Sequence, residues 1–161
     1  MGVDPGSRIT GVGIIDSDGQ YSQYLHAVAI RLDTRADFTA RLGCIFEQIQ
    51  QLIQTYQPDL FAIEDVFVAQ NAAAALKLGQ ARGAAICAAI TANLAVAEYS
   101  PREVKQAVVG KGSADKTQVQ QMVKLLLNQQ GRLQADAADA LAIALCHAHR
   151  YRFQEKTNAH K

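Results

Sequence analysis

MGVDPGSRITGVGIIDSDG, residues 1–19, is the stretch whose reading decides how this chain folds. Met1 to Val3 is apolar and runs into Asp4-Pro5-Gly6-Ser7, which is good turn chemistry. Ile9 to Ile15 is apolar, contains glycine and has the length of a strand. Asp16-Ser17-Asp18-Gly19 then signals a hairpin, because Asp-Gly tolerates the positive φ such turns require. Tyr21 to Leu32 reads as a third strand. The chain therefore opens with one strand followed by two hairpin-linked antiparallel strands.

Beyond this opening the period changes. Phe38, Leu42, Ile45, Ile49, Leu52 and Tyr56 recur every three or four residues, which puts them on one face of a helix over 36–56. Pro58 ends it. Leu60 to Val68 is a short β-rich run interrupted by Glu64 and Asp65. Ala72 to Asn93 is Ala-rich and helical, with Gly79 and Gly83 four apart. That spacing suits either close packing on the sheet or a helix–helix contact in a dimer. Ala95 to Tyr99 is a fifth strand. Ser100-Pro101 is an N-cap followed by proline at the first helical position. After a loop at Gly110 to Gly112, Ser113 reads as the cap of a helix reaching about Leu127. Ala135 to about Tyr151 is the final helix. Strands that come to alternate with helices predict an α/β layered domain, with a mixed five-stranded sheet flanked by helices. One domain over 1–153 and a flexible polar tail over 154–161 account for the chain.

Composition narrows the class. At 161 residues with 49% apolar content, one domain can bury its own core and long disorder is excluded. No apolar run is long enough for a membrane span, and Met1 to Pro5 has no basic n-region of a secretory signal. A cytoplasmic protein is expected. Cys44, Cys87 and Cys146 are odd in number and scattered, which argues against a disulfide framework. The net charge of +1 does not by itself point to nucleic acid, so any DNA-binding field must come from local clusters.

Four acids sit where surface acids would not be expected. Asp4 follows an apolar strand end. Glu64 lies inside Phe61-Ala62-Ile63-Glu64. Asp136 and Asp139 are three apart at the start of a helix otherwise built of Ala, Leu and Ile, so they share one face. Taken singly, each has a dull reading: Asp4 as a turn residue, Asp136 as an N-cap, Glu64 as half of an ion pair. Together they make a cluster that repels itself and is costly to bury, unless a divalent cation reverses the cost. Hard oxygen donors suit Mg²⁺ or Mn²⁺. Two such ions about 3.5–4 Å apart activate a water and stabilise the leaving oxygen of a phosphodiester. Asp65 should point to the opposite face from Glu64 and so should not be a ligand.

Asp-Pro-Gly-Ser-Arg at 4–8, Phe-Ala-Ile-Glu at 61–64, Ala-Leu-Lys-Leu-Gly-Gln-Ala-Arg-Gly at 75–83 and Gln-Ala-Asp-Ala-Ala-Asp-Ala-Leu-Ala at 134–142 together resemble the RuvC family of bacterial Holliday junction resolvases. Val-Lys-Gln at 104–106 and Val-Val-Gly-Lys-Gly-Ser-Ala at 108–114 add to it, and the resemblance covers residues 1 to 150 in order. It implies a ribonuclease H-like fold and a homodimer that nicks two strands of like polarity symmetrically about a four-way DNA junction. It implies Mg²⁺, two ions per active site, with Mn²⁺ as a substitute. Asp4, Glu64, Asp136 and Asp139 occupy the family's catalytic, metal-holding positions, with Asp4 bridging the ions. The nicks would leave 5′-phosphate and 3′-hydroxyl ends. The branch-migration complex RuvA-RuvB is an implied partner. The chain departs from its relatives in having only Met1 to Val3 before Asp4, and in lacking a strongly basic ending.

Across 102–116, Arg102, Lys105, Lys111 and Lys116 outnumber Glu103 and Asp115. On charge alone this is a solvated face. The resemblance puts Lys105 and Lys116 at positions used in junction binding and cleavage, which favours DNA contact at all four cations. It also suggests that Phe67 stacks on bases opened near the cut, as an aromatic can. Arg82 and Lys77 could meet either DNA or a partner subunit. Cys146, His147 and His149 carry zinc-ligand chemistry, but only Cys146 and His149 have helical spacing for one face. Two rival classes remain, beside a non-catalytic junction-binding protein, which the presence of all four acids argues against. The Asp4 turn with Gly11 and Gly13 is similar to a phosphate loop of the actin and sugar-kinase ATPases, which need a second domain that 161 residues leave no room for. A ribonuclease H-type nuclease acting on RNA or an RNA/DNA hybrid would keep the acids but not the Phe67 and lysine set.

Overall fold

The computed structural model describes residues 1–65 and 71–158, with side chains described as far as Tyr151. Its strands are β1 (Gly2–Asp4), β2 (Ile9–Ser17), β3 (Ser22–Arg31), β4 (Phe61–Glu64) and β5 (Val96–Tyr99). They form one sheet in the order β3-β2-β1-β4-β5. β2 is antiparallel to β1 and β3, whereas β4 is parallel to both β1 and β5. The hairpin falls where the Asp-Gly signal put it. Gly19 takes φ 80°, and the Asp18 carboxylate accepts from the Gln20 and Tyr21 N–H groups at 2.7 Å each.

The helices are α1 (Phe38–Tyr56), α2 (Ala72–Thr91), α3 (Pro101–Val109), α4 (Lys116–Leu126) and α5 (Ala135–Asn158). Strand alternation sorts them into layers. Val3, Val12, Phe61 and Ile63 share a core with Ile45, Ile49 and Ile53 of α1 and Ala81, Ala85 and Ala88 of α2. Ala62 and Tyr99 share the other core with Val104 and Val108 of α3, Val123 of α4, and Leu141 and Leu145 of α5. The result is a three-layer domain with the sheet between helices.

The approach of α5 to the sheet positions everything that follows. A methyl group on Gly11 would stand 2.0 Å from the Asp136 carbonyl oxygen, and one on Gly2 would stand 2.3 Å from that of Ala140. Only bare backbone on the inner face of β1 and β2 admits the helix this close.

Local caps mostly follow the sequence. Ser100 accepts from the Glu103 N–H at 3.3 Å while the Glu103 carboxylate takes the Ser100 N–H at 2.8 Å, so Pro101 begins α3 as expected. The cap of α4 is Asp115 and not Ser113. Asp115 accepts from the Gln118 N–H at 2.9 Å, and Gln118 returns the bond to the Asp115 N–H at 3.0 Å. This reciprocal box outcompetes a serine two residues earlier. The final helix runs to Asn158, past the residue 153 expected as the domain's end.

The glycines of α2 do not pack on the sheet. Among the described residues, nothing lies within 4 Å of a methyl placed on Gly79 or Gly83. The helix meets the core through Ala81, Ala85, Ala88 and Ala89 instead, leaving Leu76 and Ile90 65% and 59% exposed. The helix thus packs on the sheet as one reading of that spacing had it, but through its alanines and not through the two glycines. The Cys146, His147 and His149 group also disperses. Cys146 Sγ points to the Glu103 carbonyl, His147 Nδ1 pairs with the Tyr99 hydroxyl at 2.7 Å, and His149 Nδ1 faces the Ala107 carbonyl.

Candidate active site

β1 and β4 run parallel, with Val3 opposite Ile63, so their final residues Asp4 and Glu64 finish side by side at one end of the sheet. Asp4 has the facing of Gly2, and Glu64 that of Ala62, so both acids are on the α5 side. The first turns of α5, pressed against Gly11, bring Asp136 and Asp139 to the same end. Asp65 goes the other way and lies 3.8 Å from Arg82 of α2, as strand alternation requires.

Asp4, Glu64 and Asp139 line one cleft of about 240 Å³, together with Lys105 of α3 and Lys116 at the start of α4. Asp136 is not part of that lining but acts on Asp4 through its field. Lys116 Nζ is 3.0 Å from Asp139 Oδ2. The electrostatics are those of crowded anions. Burial, then the neighbouring Glu64 and Asp139, push the Asp4 carboxyl up to about 7, against a smaller opposing pull from Lys116. Burial and Asp139 also raise Glu64, while Lys116 and Lys105 lower it. The hydrogen bond to Asp139 raises Lys116 in turn. Among the described residues, no three His, Cys, Asp or Glu side chains form a ready-made metal-ligating group. The acids face one another across the cleft, with Lys116 occupying one of them.

The turn that carries Asp4 is tied down on both sides. The buried Thr10 hydroxyl donates to the Gly6 carbonyl at 3.1 Å, and Arg41 of α1 donates to the Ser7 carbonyl at 3.2 Å. The remaining predicted cations sit apart from the cleft. Arg102 and Lys111 are exposed and belong to the α3–α4 corner, where the Arg102 stem packs where a side chain on Gly112 would be. Gln106 clamps that corner by donating to the Gly110 carbonyl at 2.8 Å and accepting from the Gly112 N–H at 3.0 Å. Sequence reasoning noted Gln106 only inside a motif and gave it no role. Its spacing from two glycines that need a loop tie was the available signal. Phe67 lies outside the described residues. Lys77 and Arg41 both sit over the Phe38 ring, at 5.8 and 5.0 Å.

A mixed five-stranded sheet in this order, with helices on both faces, defines the ribonuclease H-like class of domain. The model of the family described as crossover junction endodeoxyribonuclease RuvC matches residues 1–147. The chain is 57% identical over 149 residues to the RuvC protein of Dichelobacter nodosus, covering 92% of this chain and 84% of that one. To the RuvC protein of Marinobacter nauticus it is 59% identical, covering 92% and 85%. The structure of Thermus thermophilus RuvC in complex with a Holliday junction substrate superposes with a TM-score of 0.90 at 33% identity, over 95% of this chain and 94% of that one. The yeast mitochondrial Holliday junction resolvase, 13% identical with a TM-score of 0.67 over 98% and 79%, shares the fold. This chain belongs to the RuvC family.

Proposed function

We propose that this protein is a structure-selective endonuclease that resolves four-way DNA junctions by paired nicks. The observation that carries the reading is the convergence of Asp4, Glu64 and Asp139 with two lysines in one cleft, in a chain that matches the resolvase family almost end to end.

The carboxylates fit divalent cations. They are hard oxygen donors, and burial together with the neighbouring acids holds Asp4 partly protonated near neutral pH, a cost that a cation would remove. Asp4, Glu64, Asp136 and Asp139 would hold two Mg²⁺, or Mn²⁺ in their place. The bound ions supply an activated water and countercharge for the leaving oxygen. Lys116 and Lys105 bring positive charge to the same cleft and would meet the phosphate approaching it. Arg102 and Lys111 extend that charge along the α3–α4 corner. Phe67 would contact bases near the cut.

Paired cutting needs two sites, and a homodimer provides them. The open face of α2, with Gly79 and Gly83 between Leu76 and Ile90, suits a helix from a second copy. A role on DNA junctions would put the protein in the cytoplasm, with the RuvA-RuvB motor as its partner.

The test uses a labelled four-way junction and a linear duplex of the same sequence, each with Mg²⁺ and with chelator, with Asp4→Asn and Asp136→Asn alongside. Paired, Mg²⁺-dependent nicks on the junction alone, lost in both variants, are expected. Cutting of RNA hybrids, or of any duplex, would instead assign a general ribonuclease H-type nuclease.

A further inference from the structure

We propose that Arg82 is a positioning residue that fixes Glu64 in the cleft from the opposite face of the sheet. The inference rests on the reading of Glu64 as part of the catalytic site. Gly2 stands opposite Ala62 in the parallel β1–β4 ladder, and the Ala62 N–H donates to the Met1 carbonyl at 2.9 Å. Backbone groups alternate sides along such a ladder, so those of Glu64 also face β1. The donor due to the Glu64 carbonyl is the N–H of residue 5. Residue 5 is proline and has none. The next residue, Asp65, turns back to β5 and donates to the Tyr99 carbonyl at 2.8 Å. The strand that carries Glu64 therefore ends with its last carbonyl outside the ladder.

Arg82 supplies the missing donor. It comes from α2, on the sheet face away from α5, and its Nε lies 3.1 Å from the Glu64 carbonyl oxygen. Its Nη2 is paired with Glu98 on β5 and lies 3.8 Å from Asp65 Oδ1. With its side chain 17% exposed, the guanidinium is held on several sides. One planar fork thus ties the end of β4 to β5 and to α2. A lysine, as a single point donor, cannot serve the carbonyl and Glu98 in the same directions. The Glu64 carboxylate projects from the residue so fixed, and its reach into the cleft depends on that fix.

Arg82 touches no reacting group, so its test needs readouts beyond nicking. Wild type, Arg82→Ala and Arg82→Lys are compared for Mn²⁺ binding by calorimetry, junction affinity in chelator, and single-turnover nicking with Mg²⁺ at saturating junction. Arg82→Ala is expected to weaken Mn²⁺ binding and slow nicking by about 10- to 100-fold, as loss of a partner behind a ligand does. Junction affinity in chelator should stay within about twofold, and Arg82→Lys should recover only part of the loss. Folded Arg82→Ala protein with wild-type Mn²⁺ affinity and nicking would overturn the proposal. If Arg82→Ala does not fold, Arg82→Lys decides: impaired Mn²⁺ binding supports the role, and wild-type behaviour removes it. Failure of the wild type to cut junctions would sink the resolvase reading, while the Mn²⁺ comparison would still judge Arg82.

Discussion

Lys116 Nζ lies 3.0 Å from Asp139 Oδ2, a contact across 23 positions of sequence made by the first residue of α4 against the start of α5. The lysine is 76% exposed and the aspartate 20%. A pair so open to water adds little to stability. Its effect is local: the ammonium pulls the carboxyls of both Asp4 and Glu64 downward.

Replacing Lys116 by methionine should slow nicking by on the order of a hundredfold, the usual cost of removing one charged group from a phosphodiester site. It should also move the acid limb of the pH–rate profile to higher pH, because Asp4 and Glu64 lose a neighbour that favours their ionised forms. A rate deficit that is the same at every pH would show that Lys116 does not act through these acids.

The metal-free protein carries a pH signature of its own. The Asp4 carboxyl rises from 3.8 to about 7, so its contribution to stability is complete below its unfolded value and is lost as pH rises through about 7. The cost at full ionisation is on the order of 4 kcal/mol. Asp4→Asn should therefore melt higher than wild type at pH 8 in chelator, with the gap closing at pH 4, by roughly 2–4 °C per kcal/mol for a chain of this size. Added Mg²⁺ should raise the wild type and not the variant. Melting curves that coincide at both pH values would contradict the strain assigned to Asp4.

Gly11→Ala should be disproportionately harmful. A methyl there meets the Asp136 carbonyl at 2.0 Å, so the first turn of α5 must lift. A stability loss of about 1–3 kcal/mol or more is expected, with nicking abolished in whatever folds. Gly43→Ala, where no described residue lies within 4 Å, is the matched control and should be silent.

Lys111→Ala should weaken junction binding and lower the slope of log affinity against log salt by about 1, the mark of one lost phosphate contact. Gln106→Ala should lower affinity in the same direction with no charge removed, because the loop between Gly110 and Gly112 loses both bonds from the Gln106 side chain. A Gln106→Ala protein with wild-type affinity would mean the loop needs no clamp.

Placing a charge on the open face of α2, as in Gly79→Glu, should convert the proposed dimer to monomer in sedimentation while costing no more than about 0.5 kcal/mol of stability, since among the described residues nothing lies within 4 Å of a methyl placed there. A variant that remains dimeric would move the interface elsewhere.

Much of this was legible in the sequence because turn and strand signals are local. The Asp18-Gly19 hairpin, the Ser100-Pro101 start of α3 and the opposite facings of Glu64 and Asp65 follow from rules spanning a few residues. The acids were found the same way, as charges in apolar runs. Less legible was anything requiring two distant segments at once. The glycines of β1 and β2 look like flexible strand filler until α5 is laid on them. Arg82 owes its position to a backbone carbonyl, which leaves no trace in side-chain pattern, and Gln106 shows only as a spacing from two glycines. Asp115 displaced Ser113 as a cap because Gln118 answers it, a reciprocal bond that a single-residue reading overlooks.

The order in which the chain is made gives the seat of α5 on β1 and β2 a further meaning. Asp4 leaves the ribosome more than a hundred residues before Asp136 and Asp139 do. Until α5 arrives, the glycine-lined face of the first strands is bare and the acidic cleft lacks one wall. On the proposed reading of the four acids, a nascent chain completes its cutting site only when α5 docks on β1 and β2. A protease that clips the chain ahead of Asp136 would disarm it by the same logic.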